Sequence, residues 1–311
     1  MKHVLILFGF VFIQNMYAQT CDSLFVASLK EFDNSNYDAS ILLVNRCISE
    51  CAPHEKYYLH QAKCYNSIKN FAATITSLSE AIRINDSCID AYALRAQIYL
   101  DQSHYFKAIE NYEKIISLLK NPHVFKDIYH VNLSKAYNNT QQYQKTYDLL
   151  FPIYEQMTFN LGANVNLAVS CMQLQKIEEA EQFLNRCVEL DPTFTGGLVN
   201  MGYLYITLKE YEKAIEYFNK ALLVNPREPY ALNNRGFAHY CMQNYESALR
   251  DINESLSILP DNSYAYKNRG LVYLKTGLVK EACVEFEKAI RIGYTSMYGN
   301  EVIDLQNEFC K

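Results

Sequence analysis

The residue types that could perform chemistry are scattered along this sequence. Its seven histidines are dispersed, and the chain has no HExxH zinc-protease motif, no GxSxG nucleophile motif and no glycine-rich phosphate loop. Only Cys47, Cys51 and His54 approach metal-ligand spacing, and a tetrahedral zinc site would need a fourth donor that the sequence does not place. We therefore predict a noncatalytic chain without a metal or a cofactor.

Asparagine recurs at a fixed interval and is the strongest sign of binding chemistry. Asn132, Asn166, Asn200, Asn234 and Asn268 are each separated by 34 residues. Asparagine is a mediocre helix former, so local propensity does not explain its recurrence. A primary amide both donates and accepts hydrogen bonds, so a row of amides could bind the backbone of an extended polypeptide whatever its sequence.

The same period divides most of the chain into repeats. They start at residues 21, 55, 89, 127, 161, 195, 229 and 263, with four extra residues between the third and the fourth. Position 8 of every repeat is Ser, Ala or Gly, and position 20 is Ser, Thr or Ala. Because small side chains let two helices approach closely, each repeat is predicted to form a pair of antiparallel helices.

Residue pairs within the repeats support this arrangement. Positions 7 and 23 are either both apolar or both polar in every repeat, as contact between them would require. In the last two repeats these positions pair Arg235 with Asp251 and Arg269 with Glu285. We predict that both pairs form structural salt bridges within their helix pairs.

The repeat resembles the tetratricopeptide repeat. The sixth repeat shows the family pattern at Leu198, Met201, Gly202, Tyr205, Ala214, Phe218 and Pro226. The resemblance covers nearly all of the chain after residue 18, although no repeat has the family's tryptophan. It implies an all-α fold, a right-handed α-solenoid of about eight antiparallel helix pairs. Residues 297–311, with apolar Val302, Leu305 and Phe309 at helical spacing, are predicted to form a C-terminal capping helix.

The resemblance also implies where a partner would bind. In that family the first helices of the repeats line a concave surface, and relatives with an asparagine ladder hold peptides there. The aromatic and aliphatic residues expected on or near this face are Val165, Val199, Tyr203, Tyr230, Phe237, Tyr240, Tyr264 and Leu271. Lys135 and Lys267 would add isolated positive charges. Two alternatives stay open: the asparagines bond to neighbouring helices, and the aromatic rings pack between adjacent helices.

The ten cysteines suggest disulfides if the protein is exported. Position 1 of the first helix and position 31 of the second lie at the same end of a helix pair, which brings Cys21 near Cys51. A capping helix that folds back would likewise bring Cys310 near Cys283. Cys171 and Cys187 occupy core positions and are predicted to be buried free thiols.

The amino terminus has the pattern of a targeting segment. Residues 1–18 combine a short positive start, an apolar run over residues 4–13 and a small residue, Ala18, before a cleavage point. The apolar run is too short to span a bilayer. We predict a signal peptide and an exported bacterial protein, periplasmic or secreted, with no transmembrane segment in the mature chain. The alternative is a buried amino-terminal helix.

The fourth repeat is the most irregular. Asn-Pro-His at residues 121–123 interrupts the segment that leads into this repeat. Pro152 falls within the second helix of the repeat, and the proline should bend or shorten that helix. We therefore separate repeats 1–3, residues 19–126, from repeats 4–8, residues 127–296. The boundary is either a joint or a tolerated insertion, and the core that neighbouring repeats share favours the insertion.

Charge and composition bound the function. The net charge is -5 and the chain has no basic block, which argues against nucleic-acid binding. We predict a scaffold or adaptor that binds a protein or peptide partner, as an extended segment, on the concave face of repeats 4–8. The alternative is an envelope-assembly or carbohydrate-handling accessory whose aromatic side chains stack on sugars, although the chain has no tryptophan for such stacking.

Overall fold

The computed structural model describes residues 20–119 and 127–310, and every regular element within these ranges is a helix. The predicted signal peptide, residues 1–18, and the Asn-Pro-His insertion lie outside the described residues. In chain order the elements are α1 (20–33), α2 (Tyr37–Glu50), α3 (Glu55–Ser67), α4 (Phe71–Ile84), α5 (Ile89–Asp101), α6 (Tyr105–Leu118), α7 (Asp127–Asn139), α8 (Tyr143–Leu150), a 3-10 helix (Phe151–Gln156), α9 (Leu161–Gln173), α10 (Ile177–Leu190), α11 (Thr195–Thr207), α12 (Tyr211–Val224), α13 (Pro229–Cys241), α14 (Tyr245–Ile258), α15 (Ser263–Lys275), α16 (Val279–Arg291), α17 (Tyr294–Tyr298) and α18 (Glu301–Phe309). None of the described helices is both long enough and apolar enough to cross a membrane.

The chain separates into two compact units, Met1–Gln142 and Tyr143–Lys311. The N-terminal unit includes α1 to α7, and the C-terminal unit includes α8 to α18. The division falls between the two helices of the fourth repeat. The interpretation of the residues before that repeat, as a tolerated insertion or as a joint, stays a prediction.

Contacts within α13 and α14 show how a repeat folds. A Cβ on Gly236 would lie 3.0 Å from the carbonyl oxygen of Ala248, twelve residues away and near the turn. Farther from the turn, the Arg235 and Asp251 side chains meet at 2.7 Å, and Ser255 Oγ donates to Pro229 O at 2.8 Å. Sequence separation grows steadily with distance from the turn, so the two helices are antiparallel. The predicted helix pair is therefore confirmed.

Small residues at position 8 make room for a bulky residue of the second helix. A Cβ on Gly202 would lie 2.5 Å from the ring of Phe218, and one on Gly270 would lie 2.5 Å from the ring of Phe286. Both rings are completely buried. The helices thus pack ring against backbone at these positions, and any larger side chain would push them apart.

The turn inside each repeat contains a residue in the left-handed helical region. This residue is at position 15 in all eight repeats: Ser35, Lys69, Ser103, Gln141, Gln175, Lys209, Gln243 and Gly277. At Lys209, where φ is 61°, its N–H donates to Ile206 O and the next N–H donates to Tyr205 O. These bonds satisfy the last carbonyls of the first helix, as in a Schellman motif. Because seven of the eight residues are not glycine, their residue types did not predict this conformation.

Pro152 shortens the second helix of the fourth repeat, as predicted. The α-helix α8 has 8 residues and ends at Leu150, whereas α10 and α12 have 14 residues each. The chain continues as a 3-10 helix with Pro152 in its first turn.

Both expected cysteine pairs are bonded in the structure. Cys21 joins Cys51, and Cys283 joins Cys310, with Cα–Cα distances of 5.9 and 5.7 Å. Cys51 is thus unavailable as a thiolate ligand for zinc, and no group of His, Cys, Asp and Glu in the described ranges could hold a metal ion. Cys171 and Cys187 are buried free thiols, and burial raises the pKa of each to about 12, so both stay protonated.

The C-terminal segment, residues 294–310, forms two short helices instead of one. Gly299, with φ of 88°, separates α17 from α18. Val302 of α18 is completely buried and packs in the core beside α16. The segment therefore covers apolar surface of the last repeat.

A buried polar cluster joins the first two repeats. Ser28 and Ser40 each donate a hydroxyl hydrogen to the backbone carbonyl of the other, at 2.8 Å. His60 Nε2 lies 3.0 Å from both hydroxyl oxygens. Since each hydroxyl has only one hydrogen, His60 Nε2 must be the donor in these contacts.

Acid should destabilise the N-terminal unit through His60. Burial lowers the pKa of its imidazole below the ordinary value of 6.5, so the unfolded chain takes up the proton first. The stability that depends on a neutral His60 is fully present above about pH 6.5. It is lost as the pH falls through the pKa of His60 in the folded chain. Thermal unfolding should show a smaller fall of Tm with acid in His60→Gln than in the wild type. The exposed His104→Gln is the control, and an unchanged acid response in H60Q would contradict this role.

A glycine at position 15 of the sixth repeat should stabilise the fold. Lys209→Gly is expected to raise the free energy of unfolding by ~0.5–1 kcal/mol, because glycine adopts positive φ without a Cβ clash. Urea unfolding measures the change. The matched control is Glu216→Gly in the interior of α12, which should lower the free energy of unfolding by ~0.5–1 kcal/mol. Destabilisation by both substitutions would contradict this prediction, because the relief of positive φ at Lys209 would then be smaller than the conformational entropy that glycine loses on folding.

Candidate functional site

A groove of about 320 Å³ lies between α11 and α13, the first helices of the sixth and seventh repeats. Its lining residues are Thr195, Gly196, Val199, Asn200, Tyr203, Glu228, Tyr230 and Asn234. It thus brings together five residues that the sequence analysis placed on or near the binding face, Val199, Asn200, Tyr203, Tyr230 and Asn234. All of the lining residues belong to the C-terminal unit.

Helical periodicity explains why these side chains share a wall. Gly196, Val199, Asn200 and Tyr203 follow one another at intervals of three, one and three residues, which places them on one face of α11. Leu198 and Met201 lie on the opposite face and are buried. The packing of α11 on its partner helix therefore directs the groove residues outward.

The two groove asparagines offer complementary hydrogen-bonding atoms. Asn200 Nδ2 donates to the carbonyl of Gly196 at 2.8 Å, which leaves its Oδ1 without a donor among the described residues. Asn234 Oδ1 accepts from Asn233 Nδ2 at 3.2 Å, which leaves the Asn234 Nδ2 group as a donor. One asparagine thus offers an acceptor and the other a donor. These are the groups needed to bind a backbone N–H and a backbone C=O of an extended chain.

Two other asparagines bond to neighbouring helices. Asn132 Nδ2 donates to Gln97 Oε1 and to the hydroxyl of Tyr112, both at 3.1 Å. Asn268 is buried, and its Nδ2 donates to Asn233 Oδ1 at 3.0 Å. At these two positions the structure shows the alternative in which the asparagine links helices.

The remaining predicted binding residues lie outside the groove. Asn166 is half-buried on α9, and Lys135 is exposed on α7 of the N-terminal unit. Phe237 is half-buried on α13, where its ring stacks on Tyr240 with centroids 5.9 Å apart. The ring of Phe237 is therefore packed against a neighbour in its own helix.

The prediction that Lys267 is an isolated charge is wrong. Its Nζ lies 3.2 Å from Glu301 Oε1, and its side chain is only 5% exposed. Glu301 comes from α18 in the C-terminal segment. The spacing of residues along α15 contains no information about a carboxylate that reaches it from another helix, so the sequence could not reveal this pair.

The groove is almost free of charge. Positions 2, 5, 6, 9, 12 and 13 of α9, α11 and α13 include no Asp, Glu, Lys or Arg. Glu228 is the one charged lining residue, and its Oε1 accepts from the backbone N–H of Tyr230 at the start of α13. Glu228 was not among the predicted binding residues because it precedes the helix. Its place directly before Pro229, a residue typical of the first helical turn, is a cap signal that could have identified it.

Comparison with known families agrees with this architecture. Tetratricopeptide repeat models match residues 89–120, 161–194, 197–228, 229–262 and 263–292, more than half of the chain. No curated protein matches the chain in sequence.

Solved structures show the same fold at low identity. A chain of the crystal structure of the APC/C hetero-tetramer Cut9-Hcn1 is 15% identical with a TM-score of 0.62, covering 93% of this chain and 55% of that one. This chain therefore spans little more than half of that protein. A thermophilic tetratricopeptide repeat protein of Thermus thermophilus is 18% identical with a TM-score of 0.51, covering 60% of this chain and 97% of that one. At such identities the likeness concerns the fold alone, and the predicted all-α repeat fold is confirmed.

The structure distinguishes structural asparagines from groove asparagines, and stability measurements should do the same. Asn268→Ala is expected to lower the free energy of unfolding by ~1–3 kcal/mol, because it leaves the buried Asn233 Oδ1 unpaired. Asn200→Ala should change it by less than ~0.5 kcal/mol, because a bond within one helix is lost and alanine is a better helix former. Equal losses in urea unfolding would contradict this distinction.

Proposed function

The chain belongs to the tetratricopeptide repeat family, and from that premise we propose that it is a noncatalytic scaffold that binds an extended polypeptide segment between α11 and α13. The family and its structural neighbours support a role in protein interaction. The observation that carries the finer proposal is the pairing of a free acceptor on Asn200 with a free donor on Asn234. These atoms can bind a peptide backbone without selecting its side chains.

The rest of the groove suits an uncharged segment. Val199 and Tyr203 supply apolar surface beside the amides, and Tyr230 is 55% exposed at the start of α13. A carboxylate or ammonium group on the partner would lose water here without gaining an opposite charge, except next to Glu228. The groove therefore favours neutral side chains along most of its length.

Export is part of the same proposal. Two disulfides support a location in an oxidising compartment, because such bonds persist outside the reducing cytosol. A protein-binding scaffold in that setting matches the targeting pattern of residues 1–18.

Site-specific crosslinking tests the binding proposal. A photoreactive residue in place of Tyr230 should crosslink a polypeptide in a native extract, and mass spectrometry should map the crosslink to an extended segment. The double variant Asn200→Ala, Asn234→Ala should reduce recovery about tenfold, as expected for two lost backbone hydrogen bonds. Asn244→Ala, an exposed asparagine outside the groove, is the matched control. Undiminished crosslinking in the double variant would refute the groove model, and capture of a glycan instead would favour the carbohydrate alternative.

A further inference from the structure

An unusual cation lies beyond the neutral groove, on the last repeat. Lys267 is the only lysine or arginine that is buried among the described residues. Its Nζ lies 5.3 Å from the ring centroid of Phe237 and 5.0 Å from that of Tyr264. Aromatic faces attract a cation, but a buried ammonium also requires an anion. Glu301 supplies that anion at 3.2 Å.

The C-terminal segment, residues 294–310, packs aromatic rings and a carboxylate against Tyr264 and Lys267. The rings of Tyr294 and Tyr298 contact Tyr264, with centroids 6.0 and 5.2 Å apart. The Tyr294 hydroxyl donates to Glu301 Oε2 at 2.9 Å, while Glu301 Oε1 faces Lys267. Tyr298 and Glu301 are three residues apart, so the occupant presents an aromatic ring followed by a carboxylate.

Two features allow the C-terminal segment to leave this position. The side chain of Glu301 is 52% exposed, so water and competing groups reach its contact with Lys267. The helix α17 has only five residues and α18 only nine, lengths that are marginal without tertiary contacts. Val302, the Cys283–Cys310 disulfide and the Lys267–Glu301 ion pair together hold the segment in place.

The residue that follows Lys267 has an unsatisfied buried acceptor. Asn268 is 1% exposed, and its Oδ1 has no hydrogen-bond partner in the described part of the chain. A buried acceptor without a donor is costly.

We propose that Lys267, Phe237 and Tyr264 form a carboxylate-binding subsite, which the C-terminal segment fills within the chain and a partner segment of the same chemistry can occupy instead. That partner bears a carboxylate three residues after an aromatic ring. This inference rests on the proposed function in one respect. The groove and the Lys267 subsite both lie on first helices of the C-terminal unit. The cation would give a fixed register to a segment that the neutral groove binds without regard to sequence.

The first test follows the C-terminal segment itself. Acetylation of lysines by an N-hydroxysuccinimide ester, read by mass spectrometry, should modify Lys267 slowly in the wild-type chain. In the variant Cys310→Ser, Glu301→Gln the rate should rise about tenfold, because the disulfide and the ion pair no longer hold the segment. Cys21→Ser, which removes the other disulfide, is the matched control and should leave Lys267 protected. Protection that persists in the released variant would overturn the reversible occupancy.

The second test supplies the occupant from outside. A labelled peptide with the sequence of residues 294–309 should bind the released variant about tenfold more tightly than the wild type, measured by fluorescence anisotropy. The same peptide with glutamine in place of Glu301 should bind about tenfold more weakly, because it lacks the charge that Lys267 needs. Equal binding of the two peptides would refute the subsite even if the protein variant folded poorly.

The two proposals can fail separately. Asn200→Ala, Asn234→Ala introduced into the released variant should bind the 294–309 peptide as before, since no hydrogen bond in the described part of the chain joins either asparagine to Lys267. Loss of crosslinking in the groove together with intact peptide binding would support both sites. Intact peptide binding together with undiminished crosslinking would refute the groove and leave the subsite standing.

Discussion

The close approach of a first helix to the ring of its partner helix is the contact on which the rest of the structure depends. At Gly202 and Gly270 there is no space for a Cβ, because Phe218 and Phe286 fill it. In these two repeats the contact fixes the rotation of the first helix about its own axis. With that rotation fixed, Leu198 and Met201 face the core, while Asn200 and Tyr203 face the groove. The small residues therefore determine which side chains are available for binding.

A second set of contacts fixes the distance between neighbouring repeats. Arg235 donates two hydrogen bonds to Asp251 in its own helix pair, at 2.7 and 2.8 Å, and one to Asn219 of the preceding pair, at 2.7 Å. Arg269 uses Glu285 and Asn253 in the same way. Because Asn219 belongs to the pair that contains α11, Arg235 also fixes the separation of α11 and α13. The width of the groove thus follows from a bond on the far side of the helix pair.

The sequence could predict whatever depends on the register of the repeat, and little that depends on the rotamer or on distant segments. The period placed Arg235 opposite Asp251 and Cys21 near Cys51, because both contacts follow from an antiparallel pair. It could not reveal the left-handed turn at Lys209, which lacks glycine, or the pairing of Lys267 with Glu301. The first depends on backbone conformation alone, and the second on how the C-terminal segment folds back.

The asparagines at position 6 recur regularly in the sequence but differ in what they bind. The repeat that precedes each asparagine explains the difference. Asn132 follows a repeat with Gln97 at position 9, and Asn268 follows one with Asn233 at position 5, and each donates to that amide. The repeats before Asn200 and Asn234 have only apolar or aromatic residues at both positions: Val165, Val169, Val199 and Tyr203. With no neighbouring amide in reach, these two asparagines bond within their own helices and keep one atom for the groove. An apolar residue at position 5 therefore does two things at once, since it forms the floor of the groove and leaves the next amide available.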